Sequence, residues 1–102
     1  MAQLVVLYKT PKNTDAFDKY YYATHVPLAK KLPGLTRYDV SKGAVASPAG
    51  ATGVYLVATL YFESADAIKA AFGSPEGQAA AGDLAKFADG GADLYFFDTK
   101  VV

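Results

Sequence analysis

One histidine stands alone in the chain, and the residues around it are the ones whose types and spacing suggest chemistry. His25 follows three consecutive tyrosines, Tyr20, Tyr21 and Tyr22, and stands two positions before Pro27. An imidazole titrates near neutral pH, so it can serve as a general acid or base. The plainer alternative is a helix-break histidine whose nitrogens bond loose backbone carbonyls near Ala23. A catalytic imidazole needs a partner that fixes its tautomer. Asp39, Asp66 and Tyr38 are the candidates, and spacing secures none of them.

For that ring to be useful, a helix must aim it inward. Steps of three and four residues place Phe17, Tyr21, Thr24, Leu28 and Leu32 on one stripe, with His25 at its border. Three adjacent tyrosines cannot share a direction, because helical neighbours point about 100° apart. Tyr21 is expected to be innermost, with Tyr20 or Tyr22 at the surface or an interface. Pro27 has no N–H for the Ala23 carbonyl and biases Val26 away from helical geometry, which predicts a kink or break between them. Rings that fill a core while their hydroxyls reach water are the plainer account of these tyrosines.

Composition narrows the function classes. Ten basic and ten acidic side chains cancel, with no block of like charge, so the positive surface that nucleic acid or an anionic membrane attracts is missing. Without cysteine there are no disulfides and no thiolate metal sites. One histidine among scattered carboxylates makes no usual zinc or iron site. The fingerprints of nicotinamide and nucleotide binding, Gly-x-Gly-x-x-Gly and a phosphate-cradling Gly-Lys-Thr, are absent. The opening MAQLVVLYK is too short an apolar run for a membrane span or a signal peptide. A soluble cytoplasmic protein with no metal and no cofactor is expected.

The elements follow from periodicity and punctuation. Residues 3–9 read as a strand apolar on both faces, and Thr10-Pro11-Lys12-Asn13 as a turn. Asn13 or Thr14 caps a helix that Pro33-Gly34 ends. Residues 35–42 form a second strand, 43–53 a small-residue flexible connection, and 54–62 the strongest strand. On that third strand Tyr55, Val57, Thr59 and Tyr61 oppose Leu56, Ala58, Leu60 and Phe62. Ser64 caps a short helix, and Ser74 with Pro75 starts another whose inward stripe is Ala80, Leu84, Phe87 and Ala88. Residues 93–99 close the chain as a strand.

This order predicts one α+β domain over residues 1–102, a ferredoxin-like βαββαβ fold whose helices lie on one face of a four-stranded antiparallel sheet. The other face is then greasy too. Covering it with a second copy predicts a homodimer joined sheet to sheet. The same strand order builds RNA-recognition domains, and Tyr55 and Tyr61 superficially fit base stacking. The third strand has no Lys or Arg and the net charge is zero, so nucleic acid is set aside.

The run YYYATHVPLAKKLPGL, preceded by a strand and a Pro-Lys-Asn turn, resembles the EthD family of the dimeric α/β-barrel superfamily over nearly the whole chain. The family takes its name from ethyl tert-butyl ether degradation, where the namesake is required alongside a cytochrome P450 system. Membership implies a dimer whose sheets close a barrel, and a pocket between sheet and helices. It implies His25 as the matching family histidine, with Tyr21 and Tyr22 beside it. With Leu28 and Tyr38 these form the expected substrate-binding set. A haem on a single axial histidine is known elsewhere in the superfamily, but no other feature here supports one.

Two functions are compatible with these residues. One is a cofactor-independent enzyme acting on an apolar or aromatic metabolite, with His25 moving a proton. The other is a non-enzymatic dimer that holds or delivers a hydrophobic metabolite for a partner oxygenase.

Overall fold

The computed structural model describes residues 1–102. Strand β1 (Ala2–Lys9) leads to α1 (Thr14–Tyr20), a π-helical turn (Tyr21–His25), α2 (Val26–Ala29) and β2 (Arg37–Val40). A small hairpin, β3 (Ala46–Ser47) and β4 (Gly50–Ala51), precedes β5 (Val54–Phe62), α3 (Ala65–Gly73), α4 (Pro75–Phe87) and β6 (Ala92–Asp98). The four long strands form one antiparallel sheet in the order β2-β5-β1-β6, the ferredoxin-like topology expected from the chain.

Local chemistry sets the helix starts. Asn13 accepts from the Ala16 N–H at 3.0 Å, Ser64 from Ala67 at 3.1 Å and Ser74 from Gly77 at 3.0 Å, each satisfying a donor the helix cannot. Alternation then chooses the core. Leu4, Val6 and Tyr8 of β1 and Leu56, Ala58, Leu60 and Phe62 of β5 are buried beneath the helices with Ile68 and Ala71 of α3.

Pro27 does not break the helix. The ladder widens instead: the Val26 N–H donates to the Tyr21 carbonyl, five residues back, and Lys30 resumes helical bonding to Val26 at 2.9 Å. One extra residue in the turn moves the Ala23 carbonyl out of the way of the proline ring. It also rotates the residues beyond the turn. The buried line runs Phe17, Tyr21, His25, Ala29 and Leu32, while Thr24 is exposed and Leu28 half-buried. The expected stripe through Thr24 and Leu28 is therefore shifted by one position beyond Tyr21.

Two further expectations change. Residues 43–53 carry a four-residue ladder, with Thr52 donating to the Val45 carbonyl at 3.2 Å, so small residues here make a hairpin. A bulge between Tyr8 and Lys9 lets two β5 residues, Tyr55 and Leu56, turn toward the helices. Tyr55 accordingly donates to Asp18 of α1 at 2.9 Å and meets the Phe17 ring edge-on, instead of joining Tyr61 on the open face.

The register puts Val5, Leu7, Val57, Tyr95 and Phe97 on the open face, with Arg37 and Asp39 paired at 3.1 Å along its β2 margin. Tyr95 is 57% exposed.

Helix α4 reaches the site only because Gly77 lets it approach the end of α3. A Cβ at Gly77 would lie 1.9 Å from the Ala71 carbonyl oxygen, whereas one at Gly82 would meet nothing within 4 Å. Gly77→Ala should cost about 3 kcal/mol or more, since the obstacle is backbone, and Gly82→Ala should gain about 0.5–1 kcal/mol. Urea unfolding of the two variants checks this contrast, and equal effects would contradict it.

Candidate functional site

His25 is 5% exposed and Asp83, from α4, is 4% exposed. The imidazole Nδ1 lies 3.0 Å from Asp83 Oδ2, and the Tyr20 hydroxyl donates to Oδ1 at 2.7 Å. Burial would raise the Asp83 carboxyl, but the hydrogen bonds from Tyr20 and His25 bring it below the ordinary range. Burial pushes His25 the other way, below its ordinary 6.5, and outweighs the pull of Asp83. The state consistent with both is an ionised Asp83 accepting from a neutral ring protonated at Nδ1. The Nε2 lone pair then lies on the opposite side, where the Tyr8 hydroxyl reaches it through a long hydrogen bond of 3.5 Å.

Asp83 is the residue that sequence reasoning missed, and Asp39 and Asp66 are not the partners of His25. Asp39 pairs with Arg37 on the open face, and Asp66 is exposed in the first turn of α3. A signal did exist. Asp83 falls three residues after Ala80 and four before Phe87, so it sits within the apolar stripe of α4, where an unpaired carboxylate would be costly.

His25 lines a hollow between sheet and helices, together with Leu4, Val6 and Leu60 of the sheet, Ala29, Ala80 and Leu84 of the helices, and Tyr8 and Tyr38. Every lining residue except His25 is hydrophobic or a tyrosine. Its closed volume is about 30 Å³, space for little more than a water molecule. Phe72, Leu84 and Leu94 border it and are all partly exposed, Leu94 at 37%.

The remaining expected residues divide. Tyr38 lines the hollow and shares a 2.6 Å hydrogen bond with Tyr21. Tyr21 is completely buried behind it, stacked on Phe17 and tilted against His25 at 5.5 Å. Burial, with the neighbouring tyrosines, raises the Tyr8 and Tyr21 hydroxyls far above their usual range, so both remain protonated donors. Tyr22 is 51% exposed and lines a different cleft, and Leu28 is not among the hollow's lining. No three carboxylate or imidazole side chains converge on one point.

Residues 9–91 match the model of the EthD domain. The chain belongs to the EthD family. It is 39% identical over 104 residues to an uncharacterised 11.0 kDa protein of the thcB–thcC intergenic region of Rhodococcus erythropolis, spanning 100% of this chain and 98% of the relative. An ethyl tert-butyl ether degradation family protein from Bacillus halodurans superposes with a TM-score of 0.88 at 34% identity, over 98% of this chain and 99% of that one. Two distant structures share the fold. SnoaB of Streptomyces nogalater, a cofactor-independent oxygenase, has a TM-score of 0.68 at 16% identity, covering 99% and 94% of the two chains. A dimeric ferredoxin-like protein of unknown function from Thermobifida fusca has 0.69 at 13%, covering 96% and 90%. No helix of this EthD protein is long and apolar enough to cross a membrane.

The buried neutral ring has a thermodynamic signature. Because folding lowers the His25 pKa below 6.5, the unfolded chain binds more protons as pH falls through that value. Stability should therefore decline below pH 6.5, by at most about 1.4 kcal/mol per pH unit. A second decline follows at more acid pH, where Asp83 is protonated. Thermal midpoints from pH 8 to pH 3 should lose the first limb, but not the second, in His25→Gln. A wild-type midpoint that rises on acidification toward pH 5 would mean the ring is charged in the folded state.

Proposed function

We propose that this EthD protein is a homodimeric enzyme that needs no cofactor and moves a proton on an uncharged apolar or aromatic small molecule. The reading is supported by His25 lining an apolar hollow while Asp83 lies 3.0 Å from its Nδ1. An orienting carboxylate and an unprotonated nitrogen are what a general base requires. In an enolisation, Nε2 takes a proton from the carbon beside a carbonyl, the C–H electron pair becomes the new C=C bond, and the carbonyl π pair moves to oxygen. The Tyr8 or Tyr38 hydroxyl donates to that oxygen; the imidazolium then returns the proton to a β-hydroxyl, which leaves as water in a dehydration, or to another carbon in an isomerisation. With no counter-charge in the walls, the guest is neutral. Phe72, Leu84 and Leu94 must swing aside to admit it. The same fold houses a cofactor-independent oxygenase in SnoaB, which supports such chemistry on this scaffold without assigning the reaction.

A carrier that delivers a hydrophobic metabolite needs only the apolar walls, and one assay separates the two. α-Tetralone, an enolisable aryl ketone, is incubated in deuterated buffer and its exchange followed by NMR. The wild type should speed exchange beside the carbonyl. His25→Gln should lose at least about a hundredfold, and Asp83→Asn should lose rate while keeping affinity in a thermal-shift titration. Exchange undiminished in His25→Gln would sink the enzyme reading, and binding without exchange in the wild type would favour the carrier.

The dimer is supported by the apolar centre of the open face and by the dimeric description of the Thermobifida protein. Val5→Arg puts a charge at that centre and should yield a folded monomer by analytical ultracentrifugation. A wild type sedimenting as a monomer at micromolar concentration would remove the pairing.

A further inference from the structure

A second concavity lies between α1, the β2 exit and the β3–β4 hairpin. It encloses about 600 Å³, within the range of small-molecule sites. Among its lining residues Asp18 is the only charged side chain, and no lysine, arginine or histidine takes part. Asp18 belongs to none of the ion pairs of the protein. Its two oxygens accept only from the Tyr55 hydroxyl, at 2.9 and 3.0 Å, which leaves lone pairs uncommitted. The hydroxyl protons of Thr10 and Thr52 are already given to the carbonyls of Gly53 and Val45. Ser41 accepts from the Val57 N–H at 3.0 Å. The cleft thus holds one carboxylate and no cationic side chain, with the Ser41 and Tyr22 hydroxyls as its remaining side-chain donors. The rings of Tyr22, 51% exposed, and Tyr55 add two aromatic walls.

An unpaired carboxylate between aromatic rings recognises positive charge, by ion pairing with the carboxylate and by attraction to the ring faces. We propose that this cleft is a binding site for a small organic cation, a protonated or quaternary amine, separate from the apolar site at His25. The proposal does not depend on the enzyme reading, since it uses none of the residues of the hollow.

Choline chloride is the probe, with its uncharged analogue, carbon in place of nitrogen, as control. Titrations are followed by amide NMR. Choline should give saturable shifts at Asp18, Tyr22, Thr52 and Gly53, and the analogue should bind at least about fivefold more weakly. Asp18→Asn, which can still accept from Tyr55, should weaken choline by about fivefold or more. Tyr22→Leu, at an exposed position, should weaken it by about two- to fivefold. Added sodium chloride should weaken choline and not the analogue. Absence of saturable shifts at the cleft, equal binding of the analogue, or unchanged affinity in Asp18→Asn would each overturn the assignment.

Discussion

A buried imidazole hydrogen-bonded to a buried carboxylate ties the first helical segment of this protein to its last helix. A buried carboxylate needs donors, and the ring supplies one of the two that Asp83 has. The bond therefore does two things at once. It docks α4 against the π turn, and it fixes which nitrogen of His25 carries the proton. Tyr20 completes the arrangement from the same helical segment as His25, so the carboxylate is gripped by two side chains five residues apart. Fold and site are coupled here because the same atoms serve both.

How much of this could be read from the chain depends on the range of the interactions. Strand order and helix caps are local or periodic, and they were legible, whereas β1 is apolar on both faces and does not announce which one is the core. The response to Pro27 was not, because a missing N–H can be met by a break or by a wider turn, and tertiary packing of Tyr21 and His25 chooses between them. Choosing the wider turn moved His25 from the border of the stripe into its middle. Asp83 was hidden by sequence distance: it lies 58 positions from His25, and only the folded sheet brings α4 over the π turn. Tyr55 was misplaced because a bulge breaks strict alternation, and nothing in VYLVATLYF announces one. The placement of Leu28 stems from the same π turn, whereas Tyr22 is exposed because its neighbour Tyr21 points inward.

The sheet presents its two faces differently. Beneath the helices it is sealed around the imidazole, while across the open face aliphatic and aromatic side chains occupy the centre and the Arg37–Asp39 pair lies along one margin. That margin also carries Arg37 over the Tyr61 ring at 5.5 Å. A charged border beside an apolar centre limits how a second surface can lie on it, because misalignment would bury the guanidinium without a partner.

The bulge opposite Tyr8 and Lys9 bears on which changes in length this chain can survive. Side chains of a strand alternate, so one residue gained or lost within β5 beyond the bulge would turn Ala58, Leu60 and Phe62 outward and bring Val57, Thr59 and Tyr61 in. A single codon would then dismantle the floor of the hollow and invert the open face together. Length variation among descendants of this chain should gather in the β3–β4 hairpin, where an inserted residue disturbs neither.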